Sequence, residues 1–519
     1  MNKHVKLAMI LVILGVIAMV GGRFAMPFIE DFRQKNSSDA KGTKGKIRIG
    51  SDNWVGYFPL CSGEMKKRMR QSGYLLECVD DQADYEQRFK KLKSGDIEFA
   101  VGTVDSYVIN GDGFDYPGTI ISVLDESKGG DAIVAWADKI SSIDDFKSKQ
   151  GYKIAYTPAS PSHHLLKAIS AHFDIEAFRN SSSWAVETNG SSDALKKLLN
   201  KEVGAAVLWE PDVSKALSKK GLKRVIGTED TSKLIVDVLI AGRKFSKDNP
   251  QVVELLLREY FETLKYYREN QDEYIDDIAD AYDMKKAEVK SLLKGVEWAS
   301  LTDNAQRWYS EVNTSALKEE ALIETIESTI KILKEFGSIK SNPIPNGDPY
   351  RITNSEYIKK LYKSMQQFGR SAERSKPSED SITKQFKALS DAAWNSLREL
   401  GTLKIRPIVF ASGTDGLTLD GKSELDIAIE NLKHYPNFRI EIRGHTGARG
   451  DKQQNKLLSE ERADAVKRYL DITYGISQNR MRAIGFGGEK PLPRKTGESF
   501  RSYNYRLPRV ELVLVTEEY

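Results

Sequence analysis

IEFAVGTVDSYVINGDGFDYPGTIISVLDESKGGDAIVAWA, residues 97–137, contains three short apolar or β-branched runs: IEFAVG (97–102), TIISVLD (119–125) and DAIVAWA (131–137). Runs of this length and composition, bounded by Gly, Asp and Pro, read as buried strands. On the N-terminal side, KIRIGS (46–51) and YLLECV (74–79) alternate with amphipathic stretches through Met65 and Met69 and through Phe89 and Leu92. On the other side come KIAYT (153–157), a helix from His163 to Phe173, WAVETN (184–189), a helix through Leu195 to Leu199, GAAVLW (204–209) and LKRVIGT (222–228). Strands alternating with helices place the chain in the α/β class, a sheet covered by helices. The pattern occurs twice, which implies two lobes, the second at about 130–236, with Asp237 to Ile240 returning the chain to the first.

Residues 246–340 are helical by periodicity, with Val253, Leu256, Tyr260, Leu264 and Tyr267 on one face, and they close a two-lobed unit at 46–344. The turn-rich NPIPNGDPY (342–350) is followed by two amphipathic stretches, one through Ile358, Leu361, Met365 and Phe368 and one through Ile382, Phe386, Leu389 and Leu397. They predict a helical spacer over 345–400. Residues 401–519 then predict a small α+β domain. Its elements are RPIVF (406–410), a helix through Leu425 and Ile429, FRIEIRG (438–444), a helix through Ala465 and Leu470, MRAIGFG (481–487) and VELVLV (510–515).

A chain of 519 residues exceeds one core and accommodates these units. Lys+Arg 78 against Asp+Glu 74 leaves a formal charge of +4, spread along the chain, so nucleic acid is not an expected partner. At the N-terminus, Lys3, His4 and Lys6 precede an uninterrupted apolar run at 7–22 that ends at Arg23. The reading is a membrane anchor over 1–29, a single-pass helix in the inner membrane with the bulk of the chain in the periplasm. Cleavage near 18–22 is the alternative, and no cysteine follows the run to accept lipid. The polar, Gly/Ser/Lys-rich 30–45 reads as a flexible tether. Cys61 and Cys78 have no metal-ligand spacing; in an exported chain a bridge between them would contribute roughly 3 kcal/mol, and two buried free thiols are the alternative.

No triad, paired-carboxylate site or metal cluster stands out, so neither catalysis nor a cofactor is expected. Gly416 to Ser423 matches the phosphate-loop pattern G-x4-G-K-S, but the apolar run before it ends several residues too early. Ligands of open α/β sheets sit beyond the carboxyl ends of strands, near helix N-termini. Candidates at such ends are Trp54, Tyr57, Thr103, Asp105, Ser106, Ser160, Ser162, His163, Trp209, Glu210 and Asp237. Each has a plainer reading: the serines as helix caps, Trp209 as core, Glu210 paired with a neighbouring base, and Asp105 and Asp237 as turn or hinge residues.

Four segments carry a family likeness: Trp54 to Leu60, Lys128 to Ala135, Ser160 to His163 and Leu208 to Pro211. Through them the first unit resembles the periplasmic solute-binding proteins of ABC importers, in the nitrate, sulfonate, taurine and thiamine-precursor branch. The resemblance implies a small anionic solute held between lobes and an ABC permease as a further partner.

In the last domain, Gly444-His445-Thr446, then Asn455, Leu458, Ser459, Arg462 and Ala463, and Gly485-Phe486-Gly487 are similar to the OmpA-like peptidoglycan-binding domain. Family members bind the diaminopimelate of the stem peptide, which assigns Thr446, Asn455, Arg462, Arg501 and Asn504 to the wall site. Arg462 leads, because a guanidinium fork matches a carboxylate. Gly447 stands where the family has an Asp, so the partner expected for the ligand's ammonium is absent. A membrane-to-wall tether without a ligand is the rival reading of the whole chain.

Overall fold

A computed structural model describes residues 43–149, 151–179, 181–311, 320–367, 382–411, 413–447 and 449–517. The expected anchor at 1–29, nearly all of the expected tether and the breaker-rich part of the spacer lie outside them. No helix among the described residues is long and apolar enough to cross a membrane.

The chain first builds β1 (Gly45–Ser51), β2 (Tyr74–Asp80), β3 (Phe99–Thr103) and β4 (Gly118–Ser127). It crosses over to form β5 (Asp131–Trp136), β6 (Ile154–Tyr156), β7 (Ala185–Glu187), β8 (Ala205–Trp209) and β9 (Leu222–Gly227). It then returns through β10 (Val236–Gly242) and β11 (Val296–Trp298). The first sheet has the order β11-β4-β10-β3-β1-β2 and the second β7-β6-β8-β5-β9. β1 runs parallel to β2 and β3, while β10 lies antiparallel between β3 and β4. Two lobes are therefore joined by two crossings, at 128–130 and 228–235.

Local chemistry accounts for the elements. In the helix Tyr85–Ser94, Asp84 accepts the Gln87 N–H at its start, and Gly95 at φ 81° ends it, a left-handed position suited to glycine. In the helix Pro250–Glu269, the five residues read from periodicity are all buried, together with Val252, Leu257 and Phe261. Cys61 and Cys78 form a disulfide that ties the segment after β1 to β2. Reducing it, or replacing both cysteines by alanine, should lower stability by about 3 kcal/mol. Urea unfolding with and without reductant measures this.

The C-terminal unit is a four-stranded sheet with the order β12-β15-β13-β14. Its strands are β12 (Arg398–Thr402), β13 (Arg439–His445), β14 (Met481–Gly485) and β15 (Arg509–Thr516). The helix Lys452–Tyr474 joins the parallel pair β13 and β14. Two sequence expectations are corrected here. RPIVF is not a strand: Pro407 offers no N–H, Phe410 makes only an isolated bridge to Leu417, and the edge strand is β12, upstream. The second spacer stretch is not a helix either, apart from the short turn Asp391–Asn395. Its apolar residues are used singly. The Phe386 ring lies under the guanidiniums of Arg439 and Arg480, and Leu389 and Leu397 pack around Trp394, Val513 and Val515. The phosphate-loop match is a capped helix start, in which Thr418 accepts the Gly421 N–H.

One hydrophobic core runs from lobe 2 into the C-terminal unit, with Ile169 and Phe173 in the same cluster as Leu400, Tyr435 and Leu470. A Cβ on Gly401 would come within 3.0 Å of the Phe173 ring. The helix Ala321–Phe336 lies beside both Val104–Gly111 of lobe 1 and Pro161–Phe173 of lobe 2.

Candidate functional site

Between the lobes, Asp52, Trp54, Tyr57, Tyr85, Asp131, Pro161, Trp209, Ile235 and Asp237 line a narrow, partly open cleft of about 20 Å³, room for about one water molecule. The first three follow β1 and Tyr85 opens the helix after β2, all in lobe 1; Asp131, Pro161 and Trp209 belong to lobe 2. Trp54 is fixed at both ends. Its backbone N–H donates to Asp52 Oδ1 at 3.0 Å, and its Nε1 donates to Asp125 Oδ1 at 3.1 Å. The ring needs two glycines: a Cβ on Gly130 would fall 2.2 Å from Trp54 Cη2, and one on Gly56 2.3 Å from Asp125 Oδ2. Both approaches are impossible for a side chain, so Gly56 and Gly130 let the indole lie across the crossing.

The Tyr57 hydroxyl donates to Asp237, whose register partners on the neighbouring strands are Thr103 and Asp125. Two carboxyls are thus side by side on β10 and β4, an arrangement unfavourable when both are ionised. Burial raises both pKa values; the charge of Asp125 raises Asp237 further, and the charges of Asp131 and Glu126 raise Asp125. Burial likewise raises Asp131 to about 7, with the charges of Asp105 and Glu210 adding to the effect. Glu126, next in sequence to Asp125 but on the opposite face of β4, is held instead by Lys128 at 2.9 Å and Arg307 at 3.0 Å. Despite its burial, these cations lower it to about 2. Asp52 accepts from Arg88, which also holds Asp81.

Of the residues expected from sequence, Trp54, Tyr57, Trp209 and Asp237 meet in this cleft. The others do not line it. Thr103 and Ser106 form a capping box on the helix Val104–Gly111. Ser160 donates to Thr157 O at 2.6 Å, and Ser162 accepts the Thr157 N–H at 3.1 Å, so both serines brace their own loop. His163 Nδ1 accepts the Ala159 N–H, and its ring lies 4.7 Å from Tyr156. Glu210 accepts from the Ser214 N–H and hydroxyl and caps the helix Asp212–Leu217. Asp105 is 1% exposed, and neither of its carboxylate oxygens accepts a hydrogen bond among the described residues.

Sequence reasoning missed Asp52, Tyr85, Asp131, Pro161 and Ile235. Asp131 opens a strand at the crossing itself, which was the available signal. The lining of this cleft offers no basic side chain to the anionic solute expected from the resemblance. Its wall carries three carboxyl side chains, and no Lys, Arg or His is among the lining residues.

In the C-terminal unit, the glycines of both motifs are packing positions. A Cβ on Gly444 would fall 1.9 Å from Ser459 O, and one on Gly485 2.6 Å from Lys456 O, so both strands press against the helix Lys452–Tyr474. Asn455 and Arg462 are seven residues apart on that helix and share a face. Asn455 donates to Arg449 O at 2.9 Å, and Arg462 donates to Thr414 O at 3.0 Å with its guanidinium over the Phe410 ring. The Thr446 N–H donates to Gly487 O, Asn504 donates to Phe500 O, and Arg501 is exposed. A Cβ on Gly447 would meet nothing within 4 Å, so the place of the missing acid is open space.

Residues 409–505 match the OmpA family. The peptidoglycan-associated lipoprotein of Rhizobium meliloti (strain 1021) is 38% identical over 85 residues, which is 16% of this chain and 48% of that protein. The chain spans about half the length of the curated relatives it matches. Among solved structures, the alkanesulfonate-binding protein of Xanthomonas axonopodis pv. citri bound to MOPS aligns with a TM-score of 0.45 at 13% identity, over 58% of this chain and 95% of that one. The periplasmic aliphatic sulphonate-binding protein of Escherichia coli aligns with a TM-score of 0.45 at 16% identity, over 67% and 97%.

Proposed function

We propose that the chain is a non-enzymatic receptor of the cell envelope that closes two lobes over a small solute and is held to the wall by its C-terminal unit. One observation carries the reading: side chains from both lobes converge on one narrow cleft, with Trp54 laid across the crossing through two obligatory glycines. On this reading 1–29 anchors the chain in the inner membrane, 30–45 is the tether, and an ABC permease is the partner that would take the solute onward. The two-lobed unit is 46–344 and the wall-binding unit 401–519, extended upstream to Arg398 by β12.

Thermal unfolding of the full chain in detergent, against a panel of small anions, neutral pyrimidines and small organic cations, tests the receptor half. A ligand at 100 times its dissociation constant should add about 2.7 kcal/mol. No shift with any member would make the two-lobed unit a spacer in a membrane-to-wall tether.

The wall half rests on the OmpA-family match and on Arg462 and Asn455 sharing a helix face. Arg462→Ala should weaken sedimentation with purified sacculi about tenfold to a hundredfold, the loss of one charge-assisted contact. Gly447→Asp, built into open space, should strengthen it. Unchanged sedimentation of both variants would remove Arg462 from the wall site.

A further inference from the structure

Resting on the receptor reading, we infer that the solute held between the lobes is a small organic cation with N–H donors, an alkylamine or a guanidine, recognised by Asp131, Asp237 and the surrounding aromatic rings.

Three features of the cleft point there. Its wall combines the carboxyls of Asp52, Asp131 and Asp237 with the rings of Trp54, Tyr57, Tyr85 and Trp209, and it lacks any basic side chain. Aromatic faces attract a cation within about 6 Å of the ring centroid, most strongly where water is excluded. Arg88 offsets Asp52 from behind, but an anion would still meet the carboxyls of Asp131 and Asp237 with no basic side chain among the lining groups.

Second, acceptor capacity in and behind the wall is unused. Arg88 satisfies Asp52 and Asp81 from behind, but Asp125 Oδ2 and both oxygens of Asp105 are buried without a hydrogen bond among the described residues. Asp105 and Asp125 do not line the cleft and add negative charge behind its wall, while the carboxyls of Asp131 and Asp237 in the wall can accept N–H bonds from a ligand. A quaternary ammonium supplies none.

Third, the acids are spread around the cleft and do not converge on a point. No group of three or more His, Cys, Asp or Glu among the described residues is placed to hold a metal ion. The space of about 20 Å³ holds about one water as the lobes stand, so on the receptor reading they part to admit a ligand, and the narrow cleft favours one of few heavy atoms.

Binding a cation favours ionised carboxyls, so protons must leave as the ligand enters. Affinity should therefore rise with pH through the range in which Asp131 titrates, near 7.

The test is calorimetric titration of the full chain in detergent with methylguanidine, n-propylamine, putrescine, choline, nitrate, ethanesulfonate, uracil and calcium chloride, at pH 6 and pH 8. At pH 7 the titrations are repeated in two buffers of different ionisation enthalpy. The expected result is binding of an N–H cation with proton release, at least tenfold tighter at pH 8 than at pH 6 and at least tenfold weaker in Asp131→Asn. Proton counting on the unmodified chain decides the matter even where the variant fails to fold. Tightest binding of choline, calcium, an anion or uracil overturns the inference and leaves the receptor reading standing. Absence of binding across the whole set overturns both.

Discussion

Replacing Arg88 by methionine should destabilise lobe 1 by about 3–5 kcal/mol, the range for removing one partner of a buried ion pair. The side chain is 0% exposed. Its Nη2 donates to Asp52 Oδ2 at 2.9 Å and Asp81 Oδ1 at 2.5 Å, Nε to Asp81 Oδ2 at 2.8 Å and Nη1 to Val101 O at 2.8 Å. Methionine fills much of the volume, so the loss is chiefly electrostatic. Two buried carboxylates and one carbonyl would be left without their donor. Burial already raises the Asp81 pKa even with the guanidinium in place. Urea unfolding of the wild type, Arg88→Met and the triple variant Arg88→Met, Asp52→Asn, Asp81→Asn gives the measurement. The triple variant should recover part of the loss, because the penalty lies in the orphaned charges. Equal stability of single and triple variants would mean that packing against the Tyr85 ring, 4.7 Å from the guanidinium, dominates instead. Since Asp52 and Tyr85 also line the cleft, the single variant should lose ligand binding as well.

Arg88 illustrates what the sequence could and could not reveal. The two lobes were legible because apolar runs and amphipathic stretches alternate with a clear change of period from 2 to 3.6, and each predicted run from 46 to 240 lies on a strand or helix. Trp54, Tyr57, Trp209 and Asp237 were legible as residues at strand ends near a crossing. Asp52, Asp131 and the role of Arg88 were not, because an acid beside a strand reads as a turn residue and an Arg in an amphipathic helix as solvated. Only the three-dimensional crossing brings them together. Ser160, Ser162 and Glu210 hold helix starts and do not line this cleft, since helix starts need the same residue types whether or not a ligand is near. In the C-terminal unit, RPIVF has better strand composition than the RELGT that forms β12. Pairing with β15 decided the outcome, as sheet context commonly overrides local propensity.

Acidification should loosen the contact between lobe 2 and the C-terminal unit, through two stacked histidines. The His172 and His434 rings lie 5.2 Å apart, and both residues are buried. His172 Nδ1 bonds the Tyr435 hydroxyl at 2.8 Å; His434 bonds Ser232 O at 2.8 Å through Nδ1 and Ser328 Oγ at 2.7 Å through Nε2. Backbone bonds accompany them, with the Ser232 N–H donating to His434 O and the Lys404 N–H to His172 O. Burial lowers both histidines, His434 to about 4; the charges of His434, Lys331 and His164 lower His172 further, and those of Lys233, His164 and Lys331 lower His434. Asp230 near Tyr435 is the acid whose charge acts on the cluster. A folded pKa below the unfolded 6.5 means the unfolded chain takes up the proton first. The contribution is therefore complete above pH 6.5 and is lost as pH falls toward 4, about 3 kcal/mol for His434 alone and more with His172. The cleft acids act in the opposite sense. Asp131, raised to about 7, contributes stability that is present at low pH and is lost as pH rises through that value. A single stability profile would mix the two trends, so the measurement is the difference between wild type and His172→Gln, His434→Gln from pH 7.5 to 4.5. Glutamine keeps polar groups at both positions and does not titrate, so the difference isolates the histidines. It should shrink steadily in the wild type's disfavour as pH falls, and a difference independent of pH would show that the two rings hold the units together by packing alone.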